Sequence, residues 1–240
     1  RGMEPAKTFL QMYNDSHGKY PQKVGFVLWS VETMRHQGIF EAQIYGLLGV
    51  KPVRSSGRIT GFEVIPLEEL GRPRIDVVLA PSGLYRDTLP NHVELFDEAT
   101  RTVAELDEPN DMNYGKARSE AIYAALLEKG YDNDTAQFLS KSRIFIDALG
   151  TYGGGGIAGV VGASYTWENE SKVADRYISG QGYVYGGGLW GEPNEDLFRL
   201  NLVDVDAALH SDSSNLYGLM YNDDMFQYFG AMALAVRSLR

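Results

Sequence analysis

Glu32 and His36 stand four residues apart in Glu32-Thr33-Met34-Arg35-His36, a spacing that places both on one face of a helix. A carboxylate beside an imidazole suits a borderline divalent cation such as cobalt, and either group can take up a proton. The plainer reading is a solvated helix start whose acidic residue is favoured by the helix dipole. A second polar run is Ser82-Gly83-Leu84-Tyr85-Arg86-Asp87. Gly83 permits close backbone approach, Arg86 can clamp a carboxylate through two hydrogen bonds, and Asp87 can accept a proton or orient the arginine. An Arg-Asp pair tying down a loop explains the same residues. Ser82 has no accompanying histidine–acid arrangement, so acyl transfer finds no support.

Three further patterns invite chemistry and have simpler explanations. Asp204, Asp206 and His210 share one face if residues 203–210 form a strand, as metal ligands would, but any half-buried strand carries such a wet face. Gly154-Gly155-Gly156-Ile157-Ala158-Gly159 matches a nucleotide-binding glycine pattern. The run before it is short and ends on Asp147, and no Lys-Ser or Lys-Thr follows, so a close-packed turn is the better reading. The tyrosines and Trp190 around the later glycines can stack on a ligand, although core packing is the usual role of aromatics.

The elements that must position these residues are legible as hydrophobic patterns. Residues 24–29 form a continuous β-prone run, and residues 75–80, with Asp76 their one charge, form another of the kind buried on both faces of a sheet. A helix is expected over 30–48, closed by Gly49, and an extended segment over 61–66. One helical turn over 67–70 stops at Gly71 and Pro73, and a long amphipathic helix starts at Thr88 and Pro90. Both polar runs then lie past the C-terminal ends of their strands, where open α/β sheets bind ligands. The fold class expected is α/β: a Rossmann-like layered half over residues 1–107, then a mixed, loop-rich α+β segment over 108–240. In that second segment helices are expected over 113–129, 168–178 and 225–239, the last capped by Asp223 and Asp224, with a short extended run at 143–146. The chain's ends look cut, which predicts a truncated piece of a longer protein.

The whole chain has 240 residues, 44% hydrophobic and 22% charged, with a net charge of -10 and no cysteine. That charge disfavours nucleic acid and anionic membranes as partners. No apolar run is long enough to cross a bilayer. The absence of cysteine excludes disulfides and thiolate metal sites and suits a cytoplasmic protein.

Specific strings add a resemblance. Val27-Leu28-Trp29-Ser30, Glu32-Thr33, Arg35-His36-Gln37-Gly38 and Leu47-Leu48-Gly49-Val50-Lys51-Pro52-Val53 resemble the large subunit shared by cobaltochelatase (CobN type) and magnesium chelatase. So do Pro66-Leu67-Glu68-Glu69-Leu70-Gly71-Arg72-Pro73-Arg74-Ile75-Asp76-Val77, the run from Ser82 to Asp87, Leu106-Asp107-Glu108-Pro109 and Gly150-Thr151-Tyr152-Gly153. The resemblance spans nearly the whole chain in order, and the Leu-Glu-Glu-Leu-Gly-Arg-Pro-Arg string is highly specific. It departs at Phe229 and Ala231, where the family more often shows histidine and glycine, at residues 115–119, and in the length of the glycine cluster.

The resemblance implies an ATP-dependent chelatase that inserts a divalent metal into a tetrapyrrole, with ATP and its Mg2+ bound by separate AAA-type partner subunits. It implies Glu32, His36 and Asp87 as catalytic groups, with Glu32 and His36 as metal ligands. Ser82, Tyr85, Arg86 and Arg35 would hold substrate, and Arg72, Arg74 and Arg86 would supply positive charge for its acidic side chains. Arg35-His36 favours Co2+ and a corrin precursor such as hydrogenobyrinic acid diamide, since the magnesium branch lacks that histidine and Mg2+ prefers oxygen. Magnesium insertion into protoporphyrin and a non-catalytic tetrapyrrole-binding scaffold are the alternatives. A piece this short is expected to be inactive alone.

Overall fold

In the computed structural model, residues 3–212 and 225–240 are described. Its centre is β1 (Lys23–Leu28), buried at all six positions. β1 pairs in parallel with β4 (Asp76–Pro81), from Lys23 opposite Asp76 to Leu28 opposite Pro81. On its other side lies β8 (Ala207–His210), also parallel, giving the order β4-β1-β8. Alternate residues of a strand face opposite sides, and the core divides accordingly. Val24, Phe26, Leu28, Val77 and Leu79 pack toward α1 (Met3–His17), α3 (Ile39–Leu48) and α6 (Pro90–Ala104). Val27, Val78 and Ala80 pack toward α7 (Tyr114–Glu128), α10 (Ser171–Gln181) and α12 (Ala231–Ser238). Helices on both faces of a parallel sheet are why these strands, after Lys23 and Asp76 at their starts, read as apolar runs. At Gly25 a Cβ would lie 2.9 Å from Met232 Sδ, so the missing side chain is what admits α12.

The sheet continues through the second half of the chain. A parallel bridge, Leu79 to Ile144, joins β4 to β5 (Phe145–Ile146), which pairs antiparallel with β6 (Tyr183–Gly186), and β6 with β7 (Leu189–Pro193). These strands and β8 lie in residues 108–240, so one layer runs across the division expected at residue 107.

The α/β class holds, with differences in detail. The single helix expected over 30–48 is two: α2 (Ser30–Arg35) and α3, separated by His36-Gln37-Gly38. Gln37 and Gly38 are left-handed (φ 56° and 75°), which no helix continues through. Between α3 and β4 stands a hairpin, β2 (Val50–Ser55) and β3 (Arg58–Val64), turned by Ser56 and Gly57, both at positive φ. Two such central residues make the turn whose twist matches its strands. α4 (Leu67–Leu70) stops at left-handed Gly71, as expected. α7 begins where Asn113 Oδ1 accepts from Lys116 N at 3.0 Å. The last expected helix is a π-helical turn (Met225–Gly230) followed by α12, and the capping role given to Asp223 and Asp224 falls outside the described residues.

The Asp204–Asp206–His210 trio does not assemble, because the strand begins only at Ala207. Asp204 pairs with Arg118, and Asp206 Oδ2 accepts from the Gln22 and Lys23 amides. Among the described residues no helix is long and apolar enough to cross a membrane.

Candidate functional site

The C-terminal ends of β1, β4 and β8 share one rim because the strands are parallel. A cleft of about 430 Å³ opens there, a volume ordinary for a small-molecule site. β1 delivers Trp29, and α2 delivers Glu32 and Arg35. The turn into α5 (Gly83–Thr88) delivers Ser82 and Leu84, and Tyr152 and Tyr228 close the far wall. Three expected residues, Glu32, Arg35 and Ser82, therefore do meet at one cavity. The Glu32 carboxylate accepts from Arg35 Nη1 at 2.7 Å, with Glu32 buried and Arg35 half exposed. Ser82 Oγ caps α5 by accepting from Tyr85 N at 3.2 Å.

The other expected residues lie elsewhere. His36 ends α2, and its Nδ1 accepts from Ile39 N at 3.2 Å, starting the next helix. It lines a hollow with Phe40, His210 and Asp212, whereas Glu32 lines the cleft. The His36 amide donates to the Glu32 carbonyl at 2.9 Å, so the helical turn between them is intact, and the left-handed break follows at Gln37 and Gly38. Among the described residues no cluster of three or more histidine or acidic side chains is placed to hold a metal ion. Tyr85 is fully buried; its hydroxyl donates to Glu41 Oε1 at 3.3 Å, and burial first, then the Glu41 charge, raise the phenol well above its ordinary value.

Arg86 is a strut rather than a clamp. It is 1% exposed and forms a fork on Asp87, at 2.6 and 3.0 Å. Its Nη1 donates to the carbonyls of Asp147 and Ala148, each at 3.0 Å. Asp87 also accepts from Tyr152 Oη at 2.7 Å, and the Arg86 guanidinium holds its carboxyl below the usual range. It stays ionised at neutral pH and orients Arg86 and Tyr152. Arg72 and Arg74 are likewise engaged: Arg72 holds carbonyls at the end of α3, and Arg74 pairs with Glu108 and three more carbonyls.

Pattern reading missed the aromatic walls. Trp29 packs edge-on against His210 (4.1 Å between centroids) and Tyr228 (6.1 Å). Burial lowers the His210 pKa, so the ring is neutral at neutral pH. Trp29 Nε1 and Ser30 Oγ, both at the cleft wall, have no hydrogen-bond partner among the described residues. A tryptophan directly after a buried strand was the available signal, since it must lie at the sheet's rim.

The glycine cluster is a close-packed turn. Gly153, Gly154, Gly155 and Gly156 all have positive φ, and a Cβ at Gly155 would lie 2.2 Å from Gly180 Cα. Gly153 N donates to Tyr228 Oη at 2.9 Å, fixing this loop to the cleft wall.

The CobN/Magnesium Chelatase family matches residues 1–240. The chain is 41% identical over 236 residues to an uncharacterized protein of Methanocaldococcus jannaschii, covering 98% of this chain and 19% of that protein. It is 36% identical to the aerobic cobaltochelatase subunit CobN of Pseudomonas aeruginosa, over all of this chain and 19% of the relative. To a magnesium-chelatase subunit of Cereibacter sphaeroides it is 35% identical, over 94% of this chain and 18% of the relative. The catalytic subunit of cobaltochelatase from Mycobacterium tuberculosis superposes with a TM-score of 0.90 at 34% identity, over 99% of this chain and 20% of that one. The chain thus spans about a fifth of each of these large subunits, and it belongs to the CobN/magnesium chelatase family.

Proposed function

We propose that this chain forms part of the tetrapyrrole-binding region of a chelatase large subunit, which inserts a divalent metal, cobalt, into a corrin precursor. The observation that carries this reading is the aromatic-walled cleft at the strand ends, with Glu32 in its wall, in a chain of this family. Trp29, Tyr152 and Tyr228 offer flat faces to a macrocycle. Glu32 offers the metal a carboxylate, and Arg35 an exposed guanidinium for the substrate's acidic side chains. Insertion requires the metal to exchange water for ring nitrogens while two N–H protons leave. ATP is hydrolysed by AAA-type partner subunits in the cytoplasm, and this chain alone does not turn over.

Magnesium is the second reading, and the cleft's donors favour it. Glu32, Ser30 and Ser82 are all oxygen donors, with the imidazole of His36 in another hollow. Identities of 36% and 35% support the two branches equally.

Absorbance titration of the full-length subunit with a metal-free corrinoid and with protoporphyrin tests the reading. Tighter binding of the corrinoid supports cobalt, and tighter binding of the porphyrin supports magnesium. Trp29→Ala weakens either complex. Glu32→Gln leaves affinity nearly intact and slows insertion about tenfold or more. Binding of neither macrocycle overturns the assignment.

A further inference from the structure

Glu41, on α3, is wholly buried, yet hydroxyls reach its carboxylate from two other helices. Thr33 Oγ1 of α2 donates to Oε1, and Tyr85 Oη of α5 donates to the same atom at 3.3 Å. Burial first, then the Glu41 charge, raise the Tyr85 phenol well above its ordinary value, so it keeps its proton and serves as the donor. The second oxygen, Oε2, has no hydrogen bond among the described residues, and His36 Nδ1 stands 3.9 Å from it. A buried carboxylate is costly, and an apolar residue of its size often serves a core as well or better. What a carboxylate oxygen adds is two lone pairs, enough to accept two hydroxyls at once. Through that single atom α2 is joined to α5.

Those two helices carry the cleft. α2 brings Val31, Glu32 and Arg35 to it, and α5 with its capping residue brings Ser82 and Leu84. α2 has six residues, no side chain caps its start at Trp29, and the left-handed Gln37 and Gly38 follow close behind its end. A helix so short owes its stability to what it packs against. Thr33 is the residue after Glu32, so holding its hydroxyl also holds the backbone that carries the cleft's carboxylate.

We propose that Glu41 is a positioning residue: it fixes the gap between α2 and α5, and with it the distance from Glu32 to Ser82 across which metal and macrocycle must meet. The role rests on the chelatase reading above and deepens it. Metal transfer depends on placement, and misplacing a reacting group by about 1 Å can cost about a hundredfold in rate.

The tie can be cut without stranding a polar group. In Glu41→Leu the Thr33 hydroxyl turns to the Trp29 carbonyl, already 3.0 Å away, and the Tyr85 hydroxyl turns to His92 Nδ1 at 3.3 Å. The variant should therefore fold and melt at or above the wild-type temperature. Glu41→Gln keeps a carbonyl oxygen that accepts both hydroxyls, so the tie survives the loss of charge.

The test uses the full-length subunit with its ATPase partners. One spin label on each wall, at Val31→Cys on α2 and Leu84→Cys on α5, reads the gap directly, and this chain has no cysteine of its own to compete. The distance distribution should be narrow with Glu41 or Glu41→Gln and broadened in Glu41→Leu. In unlabelled protein, Glu41→Leu should lose about tenfold or more in insertion rate, with macrocycle affinity near wild type and Glu41→Gln restoring most of the rate. A merely structural role predicts instead that rate follows melting temperature. Thr33→Val and Tyr85→Phe each open one half of the tie, so the double variant should be no slower than either alone. Thr33→Val also gives the distance reading should Glu41→Leu fail to fold. A wild-type distance distribution or rate in Glu41→Leu, or losses that multiply in the double variant, overturns the positioning role alone. A wild-type complex that inserts neither metal overturns the chelatase reading and the role in insertion with it, while the label distances still show whether Glu41 holds the two walls.

Discussion

Lys23 begins the central strand and is buried to 1% exposure. Its Nζ lies 3.4 Å from Asp76 Oδ2 and donates to Asn201 Oδ1 at 3.1 Å, while Arg143 Nε donates to Asp76 Oδ1 at 2.8 Å. Burial lowers the ammonium from 10.5 to about 8, more than the attraction of Asp76 restores, and Arg143 lowers it further. A shift of that size corresponds to about 3 kcal/mol. Between those two values the unfolded chain holds a proton on Lys23 that the folded chain has released. Unfolding therefore takes up a proton there, and stability rises with pH across the window. The gain is complete above 10.5 and is lost as pH falls through about 8. Lys23→Met removes this contribution while leaving the tyrosines and every other titrating group in place. Urea unfolding followed by tryptophan fluorescence, at pH values spanning the window, gives the difference between wild type and variant. That difference should shift by about 3 kcal/mol in favour of wild type from low to high pH. A difference independent of pH would refute the reasoning, since it would mean that the folded chain does not disfavour the charged lysine.

Gly155→Ala places a methyl group against the Gly180 backbone at a φ of 66°; the left-handed geometry alone costs about 1–2 kcal/mol. The melting temperature should fall, and macrocycle binding should weaken as the loop shifts from the cleft wall. Arg86→Ala strips a donor from one buried and one half-buried carbonyl and should destabilise by about 3 kcal/mol, measured by denaturant unfolding. Below the unfolding transition its macrocycle affinity should stay close to wild type, whereas a guanidinium that clamps substrate would lose affinity instead. His36→Ala should cost about 1 kcal/mol through the lost start of α3, with no change in macrocycle affinity.

The central strands were legible for a physical reason: a strand covered on both faces is apolar nearly throughout, and residues 24–29 and 75–80 are, Asp76 excepted. Where those strands end follows from the same runs, so the rim carrying Ser82 and Glu32 was within reach. The hairpin was missed although Ser56-Gly57 separates two β-prone stretches, because its strands are largely exposed and carry little hydrophobic pattern. The short strands β5 to β7 were beyond reach for another reason. Two to five residues are too few to show a period, and their pairing comes from contacts distant in sequence. His36 shares a helical turn with Glu32, its amide bonded to the Glu32 carbonyl, but spacing alone could not show that the chain turns off at Gln37 and Gly38 and sets the imidazole against the Ile39 amide.

Arg86 and Asp147 show the deeper limit of reading charge from sequence. Arg86 looks available because arginines usually face water, yet its neighbour Asp87 and two carbonyls neutralise and satisfy it inside the protein. Asp147 looks like a polar strand end that spoils a glycine motif, yet it is carried beneath that same loop and left without a partner. In both cases the residue type is evident and the environment is not, because burial and pairing are set by β4, β5 and α10 meeting far along the chain. A carboxylate paired with an arginine has less to gain from taking a proton. A buried charge lacking a partner destabilises, and the destabilisation is what lowers the barrier to taking a proton. Spacing picks out exposed charges, whereas only the folded chain shows which acid is left buried without a partner, one loop behind the cleft.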